Sequence, residues 1–515
     1  MLDVQFLRFN RMKPSIHLLS LGCAKNLVDS EVMLGALLKA GHALESDPAQ
    51  ADVVIVNTCG FVEGSKQESI DAILQAASRS RSGGINPNQK LVVAGCLAQR
   101  YSKDLQKEMP EVDAFIGINE VPRIHEIIEE LDGQMPSSFA EATADRDARC
   151  QISEYGRQNE KREIGKDKKR ETEGGIQNSE FSIQNPQSFV TRKPVYLYDF
   201  ATPRYQLTPS HFAYLKIGEG CNHPCAFCSI PAMRGRHRSR ALEDVVAEAR
   251  SLVGAGVREL CLISQDTTWF GRDLDVTDGL SHLLRRLNAI EGDFWIRILY
   301  THPAHWNERL MEAIASCPKV CRYVDMPLQH IHDDLLLRMR RETSRAHIER
   351  IITRLREIVP GIAIRTTFIA GFPGETETHF QSLLEFVEQT RFERLGVFEY
   401  SREDGTVAGR MAGQITPSVK KERRERLMAA QQKISSQIMA AQVGRTLRVL
   451  VEKSGDPDAS ARSGNGKGLV GRTEFDAPDI DGRVLLRGKG WRSGEFQQAR
   501  IVDSTSYDLV AKRGK

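Results

Sequence analysis

Six short apolar runs, each followed by a stretch of helical periodicity, fill residues 204–440 and strongly limit the folds open to this 515-residue chain. The runs are FAYLKI, RELCLIS, WIRILY, RYVDM, IAIRTTF and RLGVFEY. Continuous apolar strands that alternate with helices indicate a parallel sheet covered by those helices. We therefore predict a barrel or an open part-barrel of six strand–helix units. In such folds the chemistry lies at the carboxyl ends of the strands.

Two further domains are predicted on either side of this one. Residues 13–131 contain the apolar strands SIHLLSLGC, ADVVIVNTCG and KLVVAGC, each followed by a helical stretch, which indicates a second parallel α/β sheet. Residues 443–512 contain short strands separated by Gly, Asp and Ser turns. That pattern predicts a small all-β barrel of five strands, of the oligonucleotide-binding (OB-like) kind. The predicted fold class is α/β with an all-β module at the carboxyl end.

The segment 134–193 differs from the rest of the chain in composition. It is charged and polar, has few large apolar side chains, and repeats the sequence Ile-Gln-Asn. Such a segment buries too little apolar surface to offset the entropy of ordering. We therefore predict a disordered insert or linker over 134–193.

Composition argues against several classes of protein. The net charge is +3, from 71 basic and 68 acidic side chains, so there is no polycationic signal. No apolar run approaches the roughly 20 residues that span a bilayer, and the amino terminus lacks a signal-like segment. We expect a cytoplasmic protein with no membrane partner, whose start codon encodes Met1 or Met12. Ten cysteines in such a chain indicate metal binding or catalysis before disulfides.

Three cysteines occupy equivalent positions in the amino-terminal domain. Cys23, Cys59 and Cys96 are 36 and 37 residues apart, and each directly follows a predicted strand. The carboxyl ends of parallel strands meet at one edge of a sheet, where ligands bind. Three thiolates there could hold three irons of a 4Fe–4S cluster and leave the fourth iron open. The alternative is three buried structural thiols, but the repeated position favours the cluster.

Three more cysteines follow the first predicted barrel strand as CxxxCxxC: Cys221, Cys225 and Cys228. A zinc site usually needs a fourth protein ligand, for which His223 or His237 is a candidate. A redox pair would leave Cys221 unexplained. A second three-cysteine cluster, with one iron free to bind a small chelating molecule, is favoured over both.

The CxxxCxxC segment in this position resembles the radical S-adenosylmethionine (SAM) enzymes. The resemblance implies that the open iron binds the amino and carboxylate groups of SAM, whose reductive cleavage yields a radical that abstracts a hydrogen atom. Phe227 stands where that family has an aromatic residue whose backbone meets the adenine. FIAGFPGE, over 368–375, resembles the adenosyl-binding loop and makes Gly371 a candidate contact. Gln265, at the end of the second barrel strand, is a third candidate SAM contact because polar residues there often face the ligand.

The chain, apart from the 134–193 segment, resembles the methylthiotransferases, which combine a three-cysteine domain, a radical barrel and a small carboxyl-terminal barrel called TRAM. The resemblance implies two 4Fe–4S clusters with different tasks. The cluster of Cys23, Cys59 and Cys96 carries the sulfur to be inserted. One SAM methylates that sulfur, and a second SAM generates the radical. A sulfur donor and an electron donor are implied as partners.

This resemblance leaves two substrates to consider. The stretches SLGCAKNLVDSEVM, YTHPAHW, MPLQHI and GVFEYSREDGTVA resemble the branch that modifies the β-carbon of an aspartate in the twelfth small-subunit ribosomal protein. The alternative branch modifies adenosine in tRNA. Residues 445–515 carry 14 Lys/Arg against 10 Asp/Glu, and three of the positive charges lie in the final KRGK. Because a module that binds tRNA presents a basic stripe, we predict the ribosomal protein as substrate, on or near the ribosome, with weak nucleic-acid contact.

Other polar residues near the predicted strand ends have two interpretations. The segment RGRHRSR, at 234–240, either surrounds an anionic cofactor or substrate carboxylate or is a solvated loop. His302 and His330 either contact substrate or cofactor or are structural. The remaining cysteines are predicted to be structural or, in the last case, a free surface thiol: Cys261, Cys317, Cys321 and Cys150.

Overall fold

A computed structural model of the chain describes residues 13–81, 86, 88–133, 186–191, 193–453 and 468–514. Met1, Met12 and Cys150 lie outside the described residues, as does the predicted linker over 134–185. None of the helices in the described ranges combines the length and apolar character needed to cross a membrane.

The amino-terminal domain is a parallel sheet whose described strands follow the order β1-β2-β3-β4-β5. The strands are β1 (Ile16–Ser20), β2 (Val53–Thr58), β3 (Lys90–Gly95), β4 (Ala114–Ile116) and β5 (Gln187–Phe189), and the helices are α1 (Ala24–Lys39), α2 (Glu63–Arg81), α3 (Cys96–Glu108) and α4 (Ile124–Leu131). Alternate residues of β2 explain the layering, because Val53 and Ile55 pack on the side of α1, whereas Val54 and Val56 pack against α2 and α3.

Strand β5 corrects one prediction. Residues 134–193 were expected to form a disordered insert, but Gln187–Phe189 pairs in parallel with β4 and completes the sheet. Gln106 Nε2 also donates to the Pro186 carbonyl at 2.9 Å. The prediction was wrong at this end because backbone and side-chain hydrogen bonds hold a short edge strand that has little apolar content for a composition argument to detect.

The central domain confirms the predicted part-barrel. Within 193–453, described without a gap, the parallel strands follow the order β13-β12-β11-β10-β9-β6, and β6 and β13 are its two edges. The strands are β6 (Phe212–Lys216), β9 (Glu259–Ile263), β10 (Trp295–Ile298), β11 (Val320–Asp325), β12 (Ala363–Ala370) and β13 (Arg394–Glu399). The helices are α5 (Ile230–Arg234), α6 (Leu242–Gly254), α7 (Gly279–Asn288), α8 (Glu308–Ser316), α9 (Asp333–Arg338), α10 (Arg345–Ile358), α11 (Glu377–Thr390) and α12 (Pro417–Ala440).

The two faces of this sheet pack against different partners. Leu215, Leu262 and Ile298 belong to the core that the covering helices complete. Tyr214 and Tyr323, on the opposite face, share a second core with residues of the amino-terminal sheet and of the carboxyl-terminal barrel. The face away from the helices therefore receives both other domains.

The carboxyl-terminal domain is the predicted small closed barrel, and its described strands follow the order β14-β15-β16-β18-β17. The strands are β14 (Thr446–Lys453), β15 (Leu469–Arg472), β16 (Val484–Arg487), β17 (Phe496–Ser504) and β18 (Leu509–Arg513). Val449, Leu486 and Ile501 fill its interior.

A buried charge network joins this small barrel to the part-barrel. Arg472, at the end of β15, donates hydrogen bonds to Glu259 of β9 and Glu452 of β14. Arg297 of β10 donates to Glu259 and, at 2.7 Å, to the Glu474 carbonyl. We call the group Glu259, Arg297, Glu452 and Arg472 the TRAM joint.

Candidate active site

The three amino-terminal cysteines meet at one edge of their sheet. Cys23 caps the amino end of α1, Cys59 directly follows β2, and Cys96 is the first residue of α3. Gly22 has φ +90°, and a Cβ on it would lie 2.7 Å from Cys59 Cβ. Only glycine therefore allows the turn before Cys23 to approach Cys59 this closely. The structure thus brings together the three cysteines that their sequence spacing had grouped, and we call them the first trio.

The first trio consists of free thiols, of which Cys59 and Cys96 are buried and Cys23 is exposed. Burial raises the pKa of the Cys96 thiol to about 12, with further increases from nearby Cys23 and Cys59, while Arg234 acts in the opposite direction. Burial also raises the pKa of Cys59. Cys59 and Cys96 therefore hold their protons at neutral pH, and binding of a metal cluster would release them.

The second trio, Cys221, Cys225 and Cys228, lies in one loop between β7 (Gly218–Glu219) and helix α5. Strand β8 (Arg238–Ser239) pairs with β7 and closes the loop. Cys228 Sγ accepts a hydrogen bond from the Ile230 amide at 3.4 Å, and Cys225 Sγ accepts one from Arg341 at 3.5 Å. Burial raises the pKa of Cys221 to about 12, and nearby Cys225 adds to that rise. Sulfurs that accept N–H donors are typical of iron–sulfur ligands.

His223, the first candidate for a fourth zinc ligand at the second trio, is not available in this structure. His223 lies 2.6 Å from Glu342 Oε2 through Nδ1 and 2.8 Å from Asp266 Oδ2 through Nε2. Both ring nitrogens are therefore engaged by carboxylates. His237 directly precedes β8, and its Nε2 lies 3.1 Å from Ser239 Oγ. Three thiols with one position left open fit an iron–sulfur cluster better than four-coordinate zinc.

A group of histidines beside the second trio has the composition of a metal site but not the geometry. Ligand atoms of His223, His302 and His305 all lie within 4.8 Å of one another. The rings of His223 and His302, however, are stacked with their centroids 3.7 Å apart and their planes 10° apart. One ion cannot lie in two parallel ring planes, so these histidines support the cysteine loop by stacking and by hydrogen bonds to Asp266.

Arg234 connects the first trio to the part-barrel. It lies six residues after Cys228, yet Nη2 donates to Cys96 Sγ at 3.2 Å and to Asn26 Oδ1 at 2.8 Å. Nη1 donates to Asp29 Oδ2 at 2.7 Å and to Glu219 Oε2 at 3.1 Å. A single side chain of the part-barrel therefore contacts a cysteine of the other domain.

A second cation completes this contact. Lys216, at the end of β6, donates to Asp29 and Glu219. Burial alone would raise the pKa of Glu219, but Arg234 and Lys216 lower it to about 2, so the carboxylate stays charged. We call the group Asn26, Asp29, Lys216, Glu219 and Arg234 the amino-terminal joint.

The three predicted SAM contacts lie at the same end of the part-barrel. Phe227 packs in a small cluster with Phe372 and Tyr400, beside the 368–375 loop. Gln265 donates its amide N–H to Glu219, and its Oε1 is buried with no hydrogen-bond partner in the part of the chain that is described. Such an unused buried acceptor fits a polar cofactor. His302 Nε2 and Ser264 Oγ share this property among the described residues.

Gly371 was expected to be glycine so that SAM can approach the backbone, but the structure gives another reason. Its φ is +75°, its amide donates to Glu375, and a Cβ on it would lie 2.3 Å from Lys420 Cγ. The missing side chain therefore makes room for Lys420 of α12, and no ligand is required to explain it.

Three arginines of the arginine-rich segment, Arg234, Arg238 and Arg240, are engaged by the protein itself, whereas Arg236 is exposed. Arg238 donates to the Tyr196 and Arg234 carbonyls, both at 3.2 Å. Arg240 donates to Glu248 and to the Lys216 carbonyl. His330 Nδ1 accepts a hydrogen bond from the His332 amide, and its Nε2 lies 3.6 Å from Glu375 Oε1.

Sequence reasoning missed the partners of the trios. Lys25, Asn26, Asp29 and Glu31 of α1 are all buried, and the signal was their concentration in the helical turns after Cys23. Glu403 was missed as well. It lies in the loop after the last barrel strand and binds Lys66 and Arg100 of the amino-terminal domain, each at 3.1 Å.

Family models match three parts of the chain. The uncharacterized protein family UPF0004 covers residues 15–117, the Radical SAM superfamily covers 215–387, and a TRAM domain covers 443–513. The radical SAM match means that the chain uses SAM and a 4Fe–4S cluster.

Curated relatives match over almost the whole chain. The chain is 48% identical to the ribosomal protein uS12 methylthiotransferase RimO of Opitutus terrae, with 96% of each covered. It is 44% identical to the protein of the same name from Akkermansia muciniphila, with 97% of this chain and all of the relative covered. It is 41% identical to that of Geobacter sulfurreducens, over 97% and 98%.

A solved structure with a similar fold is the radical SAM methyltransferase TsrM of Kitasatospora setae, with bound cobalamin and a 4Fe–4S cluster. The TM-score is 0.51 at 16% identity, covering 77% of this chain and 74% of that one. At this identity the likeness supports the fold alone.

Proposed function

Since the chain belongs to the RimO family of ribosomal protein uS12 methylthiotransferases, we propose that it inserts a methylthio group at the β-carbon of an aspartate in uS12. The observation that carries the proposal is the arrangement of six free cysteines in two trios, with Arg234 of the part-barrel in contact with Cys96 of the first trio. One radical SAM cluster alone would leave the first trio without a task.

Each trio is proposed to hold one 4Fe–4S cluster: Cys23, Cys59 and Cys96 the first, and Cys221, Cys225 and Cys228 the second. When bound, the clusters and SAM supply the radical chemistry and the transferred sulfur. The chain's own residues then position and shield the reaction. Phe227, Gln265 and Gly371 remain the proposed SAM contacts, of which Gln265 has the strongest support because its Oε1 is unused.

The amino-terminal joint is proposed to hold the two trios in a fixed relation. Asp29, Glu219, Lys216 and Arg234 are all buried, so water does not compete for their hydrogen bonds. With the Glu403 contacts to Lys66 and Arg100, the domains are connected on two sides.

The partners follow from this reaction. We propose uS12 as the substrate on or near the ribosome, a separate sulfur donor and an electron donor, and a cytoplasmic location. The tRNA adenosine activity is the competing outcome of the test.

The test is mass spectrometry of uS12 from a strain that lacks the gene, complemented with the chain or with its variants. Wild type is expected to restore the mass of the methylthio group on one aspartate, and Cys23→Ala and Cys221→Ala are expected to abolish it. Cys317→Ala, a buried cysteine outside both trios, is the matched control. Unmodified uS12 together with restored methylthioadenosine in tRNA would transfer the assignment to tRNA.

Iron analysis after anaerobic reconstitution tests the two-cluster part separately. Wild type is expected to hold about eight irons per chain, and each trio variant about four. Two zinc ions and little iron would refute the enzyme assignment.

A further inference from the structure

Lys25 lies in the first turn of α1, two residues after Cys23, and only 7% of it is exposed. Its Nζ lies 3.0 Å from the centroid of the Tyr300 ring, just beyond the carboxyl end of β10. The ammonium therefore extends from the edge of the sheet that holds the first trio to the strand ends of the part-barrel. The first trio therefore faces the strand ends of the part-barrel at this position.

The carboxylates close to this ammonium are already used by other cations. Asp325 accepts a hydrogen bond from Arg365 Nη1 at 2.8 Å. Glu219 accepts hydrogen bonds from Lys216 at 2.7 Å and from Arg234 at 3.1 Å. Neither carboxylate is hydrogen-bonded to the ammonium.

Within the described ranges, no hydrogen-bond acceptor is assigned to the three N–H groups of Lys25. The Tyr300 ring stabilises the positive charge through a cation–π interaction. A ring face, however, does not satisfy three N–H donors, and Lys25 is only 7% exposed, so little water can take the place of an acceptor. Such a group is expected to gain an acceptor when a ligand binds.

We propose that Lys25 binds the carboxylate of the substrate aspartate and thereby makes the chain specific for an acidic side chain. The inference rests on the proposed function, because it takes uS12 as the substrate. A carboxylate satisfies both the charge and the N–H groups of a desolvated ammonium. An adenine ring carries no negative charge, so the same residue disfavours a tRNA base.

The chemistry of aspartate makes this contact useful for positioning. Its β-carbon is bonded directly to the carboxylate carbon, so fixing the carboxylate places the β-carbon within one bond of the anchor. Lys25 holds that anchor between the first trio, where the transferred sulfur is proposed to arise, and the part-barrel, where the radical is proposed to form. Lys25 is therefore a substrate-binding and specificity-determining residue.

The experiment measures equilibrium binding by the reconstituted full-length chain. The ligands are uS12, a uS12 variant in which the modified aspartate is replaced by asparagine, and SAM. Wild type is expected to bind uS12 about 10- to 100-fold more tightly than the asparagine variant, as for other close charge pairs. Lys25→Met is expected to bind both forms equally, and Lys25→Arg to keep part of the preference.

Two controls separate this effect from misfolding. Lys39→Met changes an exposed lysine on the same helix and is expected to keep the wild-type preference. The iron content of Lys25→Met is expected to match wild type. If Lys25→Met loses iron, the proposal is tested instead by whether Lys25→Arg keeps part of the preference for aspartate over asparagine.

Each other outcome counts against the proposal. An undiminished preference for aspartate in Lys25→Met overturns it. Weaker SAM binding with the aspartate preference intact assigns the carboxylate to the methionine part of the cofactor instead. If wild type modifies uS12 but Lys25→Met keeps the preference for aspartate, the proposed function is retained and the Lys25 proposal is rejected. If wild type neither binds nor modifies uS12, both fail together.

Discussion

The part-barrel is connected to its neighbours by two buried charge networks of the same kind and with different consequences. In the TRAM joint, Arg472 lies between the carboxylates of Glu259 and Glu452. In the amino-terminal joint, Arg234 lies between Asp29 and Glu219. Each joint is formed by an arginine, two carboxylates and a second cation, and each is shielded from water.

The difference lies in what the remaining N–H groups of the arginine contact. Arg472 donates its remaining hydrogen bond to the Asp476 carbonyl at 3.0 Å, so the TRAM joint consists of matched charges and backbone. Arg234 instead reaches Cys96 Sγ and Asn26 Oδ1. A buried arginine between carboxylates does not identify a functional site by itself. Contact with a potential metal ligand is what distinguishes the two.

The largest effect on stability is expected at the TRAM joint. Arg472→Met leaves Glu452 and Glu259 buried with fewer cations, and removing one partner from such a group typically costs about 3–5 kcal/mol. Urea denaturation followed by tryptophan fluorescence should show the loss in the unfolding of the small barrel. Arg500→Met, an exposed arginine of the same barrel, should leave the transition unchanged. Equal free energies of unfolding for the two variants would show that the TRAM joint does not stabilise the fold.

The next effect is expected at the amino-terminal joint, where it is measured on the first trio. In Arg234→Met, one cation, Lys216, remains for the two carboxylates of Asp29 and Glu219, and Cys96 loses an N–H donor. Loss of such outer partners typically weakens metal binding about 10- to 100-fold. Iron retention against a chelator, measured in a Cys221→Ala background, isolates this site.

Two further variants make the Arg234 result specific. Arg234→Lys should recover part of the iron retention, whereas Arg236→Met, at an exposed position two residues away, should retain iron fully. If Arg234→Met keeps its iron as well as Arg236→Met does, the two joints do not differ in function.

The smallest effect on stability at neutral pH is expected from the titration of the carboxylates, Glu219 in one joint and Glu452 in the other. Burial alone would raise the pKa of Glu219 and of Glu452, but the arginine and the hydrogen bonds in each joint lower both values to about 2, from an ordinary 4.5. A lowered pKa stabilises the fold above pH 4.5, and that contribution is lost as the pH falls through 2. Hydrogen exchange should therefore show both joints intact at pH 5 and weakening together below 4.5. Opening of either joint near pH 6 would contradict these pKa values.

The two trios show how much of the site the sequence contains. Cys221, Cys225 and Cys228 lie within eight residues, so spacing alone predicts that they converge. Cys23, Cys59 and Cys96 could be grouped only through the prediction of a parallel sheet, which places equivalent positions at one edge. Strand β5 was missed because backbone pairing, not composition, holds it in place.

The sequence alone determined the alternation of strands and helices in the two α/β domains, the grouping of the cysteines into two trios, and the family. Apolar periodicity and cysteine spacing are local patterns, so they can be read without the tertiary structure. Only the tertiary structure decided which charges meet across domains, since Arg234 and Cys96 are 138 residues apart. Ion pairing between distant residues depends on how the domains pack, and an arginine-rich segment has the same sequence whether it faces solvent or a buried thiol. For the same reason Lys25 could be recognised as a buried cation without an acceptor only after the two domains were in place.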